Sequence, residues 1–205
     1  SKGIYKSLNC GRGSLDKKKY INKNIVIACK KISKSYKKLI LLNQIHSNKF
    51  FLIKKFKFSK KKLIGDALIT DQRKIIIGIL TADCAPIFIY DMKKKVIGAA
   101  HAGWRGAYKK ILIKIIKKIL ALGSKKNDLI VAIGPCIAQE NYEVGKEFKY
   151  KFIKQNAKNI IFFKHKKNKI YFSLSAFVEN QLRDFGIKNI DIIRKDTFYK
   201  KNNFF

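Results

Sequence analysis

Val96-Ile97-Gly98-Ala99-Ala100-His101-Ala102-Gly103-Trp104-Arg105-Gly106-Ala107 is the stretch on which the reading of this chain turns. Val96–Ala100 is a short apolar run of strand character. The run into Gly103 and Gly106 predicts a tight turn or a close backbone approach, because glycine lacks a Cβ. A helix is then expected from Ala107 to Leu122. Lys110, Lys114, Lys117 and Lys118 lie on one face of it, and Ile111, Leu112, Ile115, Ile116 and Ile119 on the other. Gly123 is a natural stop. The first helical turn leaves N–H groups unpaired and carries a positive dipole end, which suits an anion, and Arg105 beside it carries a planar fork. Trp104 and Arg105 could equally plug the turn.

Working outward, short β-rich runs dominate the first two-thirds: Ile25–Ala28, Lys38–Ile45, Ala67–Thr70, Ile75–Leu80, Ile87–Tyr90 and Leu129–Ile133. Several are nearly continuous apolar runs, as strands buried on both faces are. Further helices are expected at Gly145–Gln155 and Ser175–Phe185, with Gly186 as a stop and a strand at Asn189–Ile193. Strands and helices intermix without a regular βαβ cadence. The expected fold class is therefore α+β, a single layered domain over 1–205 with mixed β-sheets and helices packed on the outside.

Apolar residues make up 47% of the 205 and charged residues 29%, so the composition is globular. The net charge of +34 resembles a nucleic-acid signature. Yet only five of the 47 basic residues are arginine, and lysine is spread over the whole chain together with an excess of Ile, Asn and Phe. A genome rich in A and T yields that composition whatever the function, and base readers favour the arginine fork. Specific nucleic-acid binding is not expected; non-specific attraction to polyanions is. The four cysteines, Cys10, Cys29, Cys84 and Cys136, form no CxxC pair. A reducing compartment is thus expected, and with no signal peptide or membrane-length apolar stretch the expected location is cytoplasmic.

Chemistry concentrates where strands hand over to loops. The chain has three histidines, two of which, His46 in Gln44-Ile45-His46-Ser47 and His101, sit at such ends with Cys84 of Thr81-Ala82-Asp83-Cys84-Ala85-Pro86. Two His and one Cys match catalytic zinc, which takes three protein ligands and keeps a fourth position open. The spacings are not those of zinc fingers, so the ligands must converge from different strands. Taken singly, Cys84 also fits a small buried hydrophobe and His46 a structural residue. Asp83 interrupts an apolar run, where a charge needs a partner, although a turn role before Pro86 also fits. Asp66 in Gly65-Asp66-Ala67 is a candidate acid in or behind the ligand set. Cys136 is a second thiol with a turn-packing alternative, and His165 is expected in a solvated loop.

Together, Ser7-Leu8-Asn9, Gln44-Ile45-His46, Gly65-Asp66-Ala67, Thr81–Pro86, His101–Gly106 and Ile133-Gly134-Pro135-Cys136-Ile137 resemble the YfiH/YlmD-type family, known as laccase-domain or polyphenol-oxidase proteins, purine nucleoside phosphorylases and a peptidoglycan-editing factor. The resemblance covers residues 1 to about 145 well, and thins to Leu174, Gln181-Leu182, Gly186 and Thr197 beyond. It implies a zinc site of His46, Cys84 and His101, with copper as the other candidate metal. It implies phosphorolysis of adenosine, inosine and methylthioadenosine to base and (thio)ribose 1-phosphate, with some adenosine deamination. Relatives carry a T-R-x-G-G-V strand before the position of Ser1 and an S-Y-R-R strand after Phe204-Phe205, so the chain is expected to lack both terminal strands.

Within that resemblance the expected partners are a purine nucleoside and phosphate, with no specific nucleic acid and no membrane. Arg105, Gly103 and Gly106 are expected to hold phosphate. Asp83 (or Asp66) is expected to move the proton, so Asp83 and Arg105 are the candidate catalytic residues. The alternatives are a hydrolase using Cys84 as nucleophile on a peptidoglycan precursor, and laccase-type copper chemistry, which three histidines are too few to support.

Overall fold

The structure, a computed structural model, describes residues 1–6, 8–54 and 63–199; Ser7 and the Phe204-Phe205 pair of the family resemblance lie outside the described residues. The first half runs α1 (Lys18–Ile32), β1 (Lys38–Ile40), β2 (Phe50–Ile53), β3 (Ala67–Thr70), β4 (Ile75–Ile77), β5 (Ala85–Asp91) and β6 (Ile97–Ala102). It continues through α2 (Trp104–Tyr108), α3 (Ile111–Leu120), β7 (Leu129–Ile133), β8 (Glu143–Val144), α4 (Lys146–Gln155), β9 (Phe163–Lys166), β10 (Lys169–Phe172), α5 (Leu174–Asp184) and β11 (Asn189–Ile192).

Six strands form the central sheet in the order β11-β7-β5-β6-β3-β2. The pairs β2–β3 and β7–β11 are parallel and the three ladders between them antiparallel, so the sheet is mixed as expected. β3 shows why its run reads as apolar throughout. Ala67 and Ile69 face the helical side, where Ile111, Leu112, Ile115, Ile116 and Ile119 of α3 are 0% exposed. Leu68 faces the other way, against Ile40, Ile75 and Ile77 of the parallel β1–β4 pair and Leu42 just beyond β1. α1 forms a further layer on Ile76 through Ile21, Ile25 and Cys29. Full burial of each large aliphatic side chain stabilises the fold by about 1.5–3 kcal/mol, so the α3–sheet seam outweighs any use of its lysine face. That leaves the lysines solvated. On α4, against the β8–β10–β9 sheet, Phe148 stacks on Phe152 at 4.7 Å and props Trp104 at 5.0 Å.

Four sequence expectations are corrected. Ile25–Ala28 is not a strand but part of α1. Its buried residues Ile21, Ile25 and Cys29 recur every four residues, whereas Val26 and Ile27 remain exposed. The helix expected over Ala107–Leu122 is broken into α2 and α3, with Lys110 left-handed at φ 56°. Neighbouring side chains take the carbonyls at the break: Gln181 Nε2 donates to Ala107, Gln155 Nε2 to Tyr108 and Asn48 Nδ2 to Lys109. The strands expected over Lys38–Ile45 and Ile75–Leu80 stop at Ile40 and Ile77. Beyond them the Gln44 side chain clasps Leu80, accepting from its N–H and donating to its carbonyl, each at 2.7 Å. Finally, His165 lies in β9 rather than a loop, exposed and bonded to Lys149 Nζ at 2.7 Å.

Candidate metal centre

Strand register assembles the site. In the β5–β6 ladder Ala85 pairs with Ala102 and Pro86 with His101, so Cys84 stands one step beyond, opposite Gly103. In the β3–β6 ladder Ala67 pairs with Ala100, and the His101 N–H donates to the Asp66 carbonyl at 2.8 Å. Cys84, His101 and Asp66 therefore meet at one end of the sheet, although 35 residues separate the last two in sequence. The segment from Asn43 to Lys49 crosses that end, anchored by the Asn43–Ile64 bridge and by the Asp66 N–H donating to Lys49 O. It delivers His46.

The ligand-type atoms of His46, Cys84 and His101 all lie within 4.8 Å of one another. The two imidazoles meet edge to face, centroids 4.8 Å apart. His101 is buried, Cys84 half-buried and His46 exposed, so the cluster opens toward solvent on the His46 side. Two imidazole nitrogens and one thiolate are a zinc donor set, with bonds of about 2.0–2.1 Å to nitrogen and 2.3 Å to sulfur. The same donors in blue-copper proteins add a weak axial methionine, glutamine or backbone oxygen. The single methionine here is Met92, at the opposite end of β5, roughly 25 Å along the strand from Cys84. The third histidine, on β9, belongs to no such cluster among the described residues.

Electrostatics set the protonation of the cluster. Burial works to raise the Asp66 carboxyl, but hydrogen bonds from Ser47, His101 and His46 outweigh it and hold it below the usual carboxylate range. Burial lowers His101, partly offset by its Asp66 bond, so the imidazole favours the neutral form that ligates metals. Burial, then the charges of Asp83 and Asp66, push the Cys84 thiol up to about 11. A metal cation reverses that by binding the thiolate.

Glycine matters at two positions. A Cβ on Gly103 would sit 2.8 Å from Cys84 Sγ and 3.0 Å from His46 Cδ2. One on Gly106 would sit 3.0 Å from the Ser47 carbonyl. On the side a Cβ would occupy, both glycines are closed off by protein. Arg105 is exposed, its guanidinium 5.2 Å from the Trp104 ring centre, with Lys151 Nζ 5.4 Å from the same ring. Asp83 is exposed in the turn before β5 and accepts from Thr197 Oγ1 at 2.8 Å. Its partner is thus a hydroxyl rather than a cation.

Sequence reasoning missed three neighbours. Tyr142 is raised to about 12 by burial and then by the charges of Cys84, Asp83 and Cys136. Asp196 binds the Ala138 N–H and Asn141 Nδ2, and with Thr197 docks the last described segment against Cys136. Gln44, in the sequence a flank of His46, holds the Leu80 backbone through both ends of its amide. Cys136 is buried, in keeping with its packing alternative, and all four cysteines are free. Thr197 belongs to the family resemblance, but its bond to Asp83, 114 residues away, is not legible in the sequence.

A family model described as "Multi-copper polyphenol oxidoreductase laccase" matches residues 1–205. A purine nucleoside phosphorylase of Rickettsia conorii is 35% identical over 195 residues, 93% of this chain and 80% of that protein. One from Bacteroides thetaiotaomicron is 30% identical, covering 100% of this chain and 80% of its own length. Among solved structures, YlmD from Geobacillus stearothermophilus superimposes with TM-score 0.84 at 22% identity, over 96% of this chain and 77% of its own. Neisseria meningitidis protein NMB0706 gives TM-score 0.83 at 24% identity, over 98% and 80%. Shared fold, shared sequence over most of its length and a full-length family match together make this chain a member of the multi-copper polyphenol oxidoreductase laccase family, of the YfiH/YlmD type.

Proposed function

We propose that this chain is a zinc-dependent purine nucleoside phosphorylase that converts adenosine, inosine or methylthioadenosine to base and (thio)ribose 1-phosphate, with adenosine deamination as a side activity. The observation that carries the reading is the convergence of His46, Cys84 and His101 with an open side, in a chain whose curated relatives bear the phosphorylase name. When bound, the metal supplies Lewis acidity toward a substrate oxygen.

The chain's own residues do the rest. Arg105 presents a guanidinium braced on Trp104, a fork suited to phosphate, with Lys151 adding positive charge at the same ring. The amides opening α2 at Gly103–Gly106 lie next to it in sequence. Phosphate held there attacks the anomeric carbon as the glycosidic bond breaks, positioning being the main contribution. Asp83, with one oxygen held by Thr197, takes the proton that the attacking dihydrogen phosphate gives up and passes it to the departing purine nitrogen. A thiol hydrolase fits less well, since burial and two carboxylates hold Cys84 protonated in the absence of a cation. Free cysteines accord with a reducing, cytoplasmic setting, and no helix among the described residues is long and apolar enough to cross a membrane.

The test incubates zinc-loaded full-length protein with adenosine, with and without phosphate. Phosphate-dependent release of adenine and ribose 1-phosphate is expected, with a minor inosine product. Turnover of a muropeptide instead, with an acyl group trapped on Cys84, would favour the hydrolase.

A further inference from the structure

We infer that Asp66 is the positioning residue of the histidine pair, one carboxylate that sets both the backbone of His46 and the tautomer of His101; the inference rests on the metal reading above. Asp66 is 0% exposed and collects donors from two distant segments. Its Oδ1 accepts from the His46 N–H at 3.0 Å, the Ile45 N–H at 3.2 Å and His101 Nδ1 at 2.9 Å. Its Oδ2 accepts from the Ser47 N–H at 2.6 Å and Ser47 Oγ at 2.7 Å. The Ile45 N–H is shared, lying 3.4 Å from Oδ2 as well.

Three consecutive N–H groups aimed at one carboxylate form a nest, which requires an unusual backbone. His46 supplies it with φ 56°, left-handed. A non-glycine residue there costs about 1–2 kcal/mol, so the conformation persists only because something holds it. Asp66 accepts from Ile45, His46 and Ser47, the residue on each side included.

The second effect is on His101. A carboxylate facing Nδ1 makes that nitrogen the donor and leaves the Nε2 lone pair for a cation. A neutral acceptor would fix the tautomer less firmly. Asparagine, isosteric with aspartate, presents one NH2 to this ring of donors in either orientation and leaves a donor facing a donor. The structure contains its own control. Asp91 is equally buried at 0% exposure and accepts two N–H groups, from Lys93 and Lys94 at 2.8 Å each, at the other end of β5. A carboxylate that only braces a turn behaves like Asp91.

Zinc affinity of the metal-free full chain, measured by competition with a chromophoric chelator, separates the two roles. Metal-free melting temperatures are recorded alongside. Asp66→Asn is expected to bind zinc about 10–100-fold more weakly than wild type, the usual cost of losing a partner behind a ligand. Asp91→Asn is expected to melt lower and bind zinc as wild type does. Ser47→Ala, which removes one donor and leaves the fold intact, is expected to weaken zinc binding by a smaller factor; it stands in for Asp66→Asn if that variant does not fold. Wild-type affinity in Asp66→Asn or in Ser47→Ala, or an equal loss in Asp91→Asn, overturns the assignment while leaving the metal reading standing. A wild-type chain that takes up no zinc overturns both.

Discussion

The two ends of the β5–β6 hairpin use the same device for opposite purposes. At the closed end, Asp91 accepts from Lys93 and Lys94, two and three residues on, and braces the turn into β6. At the open end, Asp66 accepts from Ile45, His46, Ser47 and His101, up to 35 residues away. Burying a carboxylate is costly where it lacks donors: both oxygens of Asp66 accept, whereas at Asp91 the two N–H groups reach Oδ1 and the buried Oδ2 has no hydrogen-bond partner among the described residues. What differs is where the donors come from. Local donors make a turn, whereas remote donors gather separate segments into a site.

The largest contrast is expected from the ligands themselves. Cys84→Ala and His101→Ala should abolish zinc binding and phosphorolysis together, measured by metal analysis and product formation, with no counterpart at the Asp91 end. His101→Ala should in addition destabilise the metal-free chain by about 1–3 kcal/mol in denaturant unfolding, because Asp66 keeps its burial and loses a donor. Next comes Gly103→Ala. Its Cβ meets Cys84 Sγ at 2.8 Å and His46 at 3.0 Å, so an overpacking cost of about 1–3 kcal/mol should fall on zinc affinity. Gly98→Ala, mid-strand in β6 with its nearest atoms at 3.4 Å, should leave zinc affinity unchanged.

A pH scan separates the two ends more finely. The Cys84 thiol stays protonated in the metal-free fold to about 11, against 9.0 when free. Above pH 9 the unfolded chain therefore binds fewer protons than the folded one, and stability falls as pH rises through that window. Melting temperatures should decline there, and Cys84→Ser should flatten part of the decline. The smallest effect is expected from Thr197→Val, which removes one hydrogen bond to Asp83 and should cost about 1 kcal/mol in unfolding.

What was legible in the sequence follows the same division. Leu129–Ile133 and the apolar face of α3 were readable because burial imposes a local period, and Ala67–Thr70 because burial on both faces makes the run continuously apolar. Ile25–Ala28 was misread because a β-branched run outweighed the four-residue recurrence of Ile21, Ile25 and Cys29. The break at Lys110 could not be read locally, since Gln155, Gln181 and Asn48 arrive from other elements to claim the carbonyls. The triad was legible as residue types, because histidine is scarce and each ligand ends an apolar run. Its convergence was not, because register in two ladders decides it. Asp66 was visible as an acid and invisible as a hub.

X-ray absorption at the zinc edge of the loaded protein tests the centre most directly. A first shell of one sulfur at about 2.3 Å with two imidazole nitrogens at about 2.0–2.1 Å, its sulfur lost in Cys84→Ser, is the predicted result. A shell of nitrogen and oxygen alone, or one unchanged by that substitution, would contradict it.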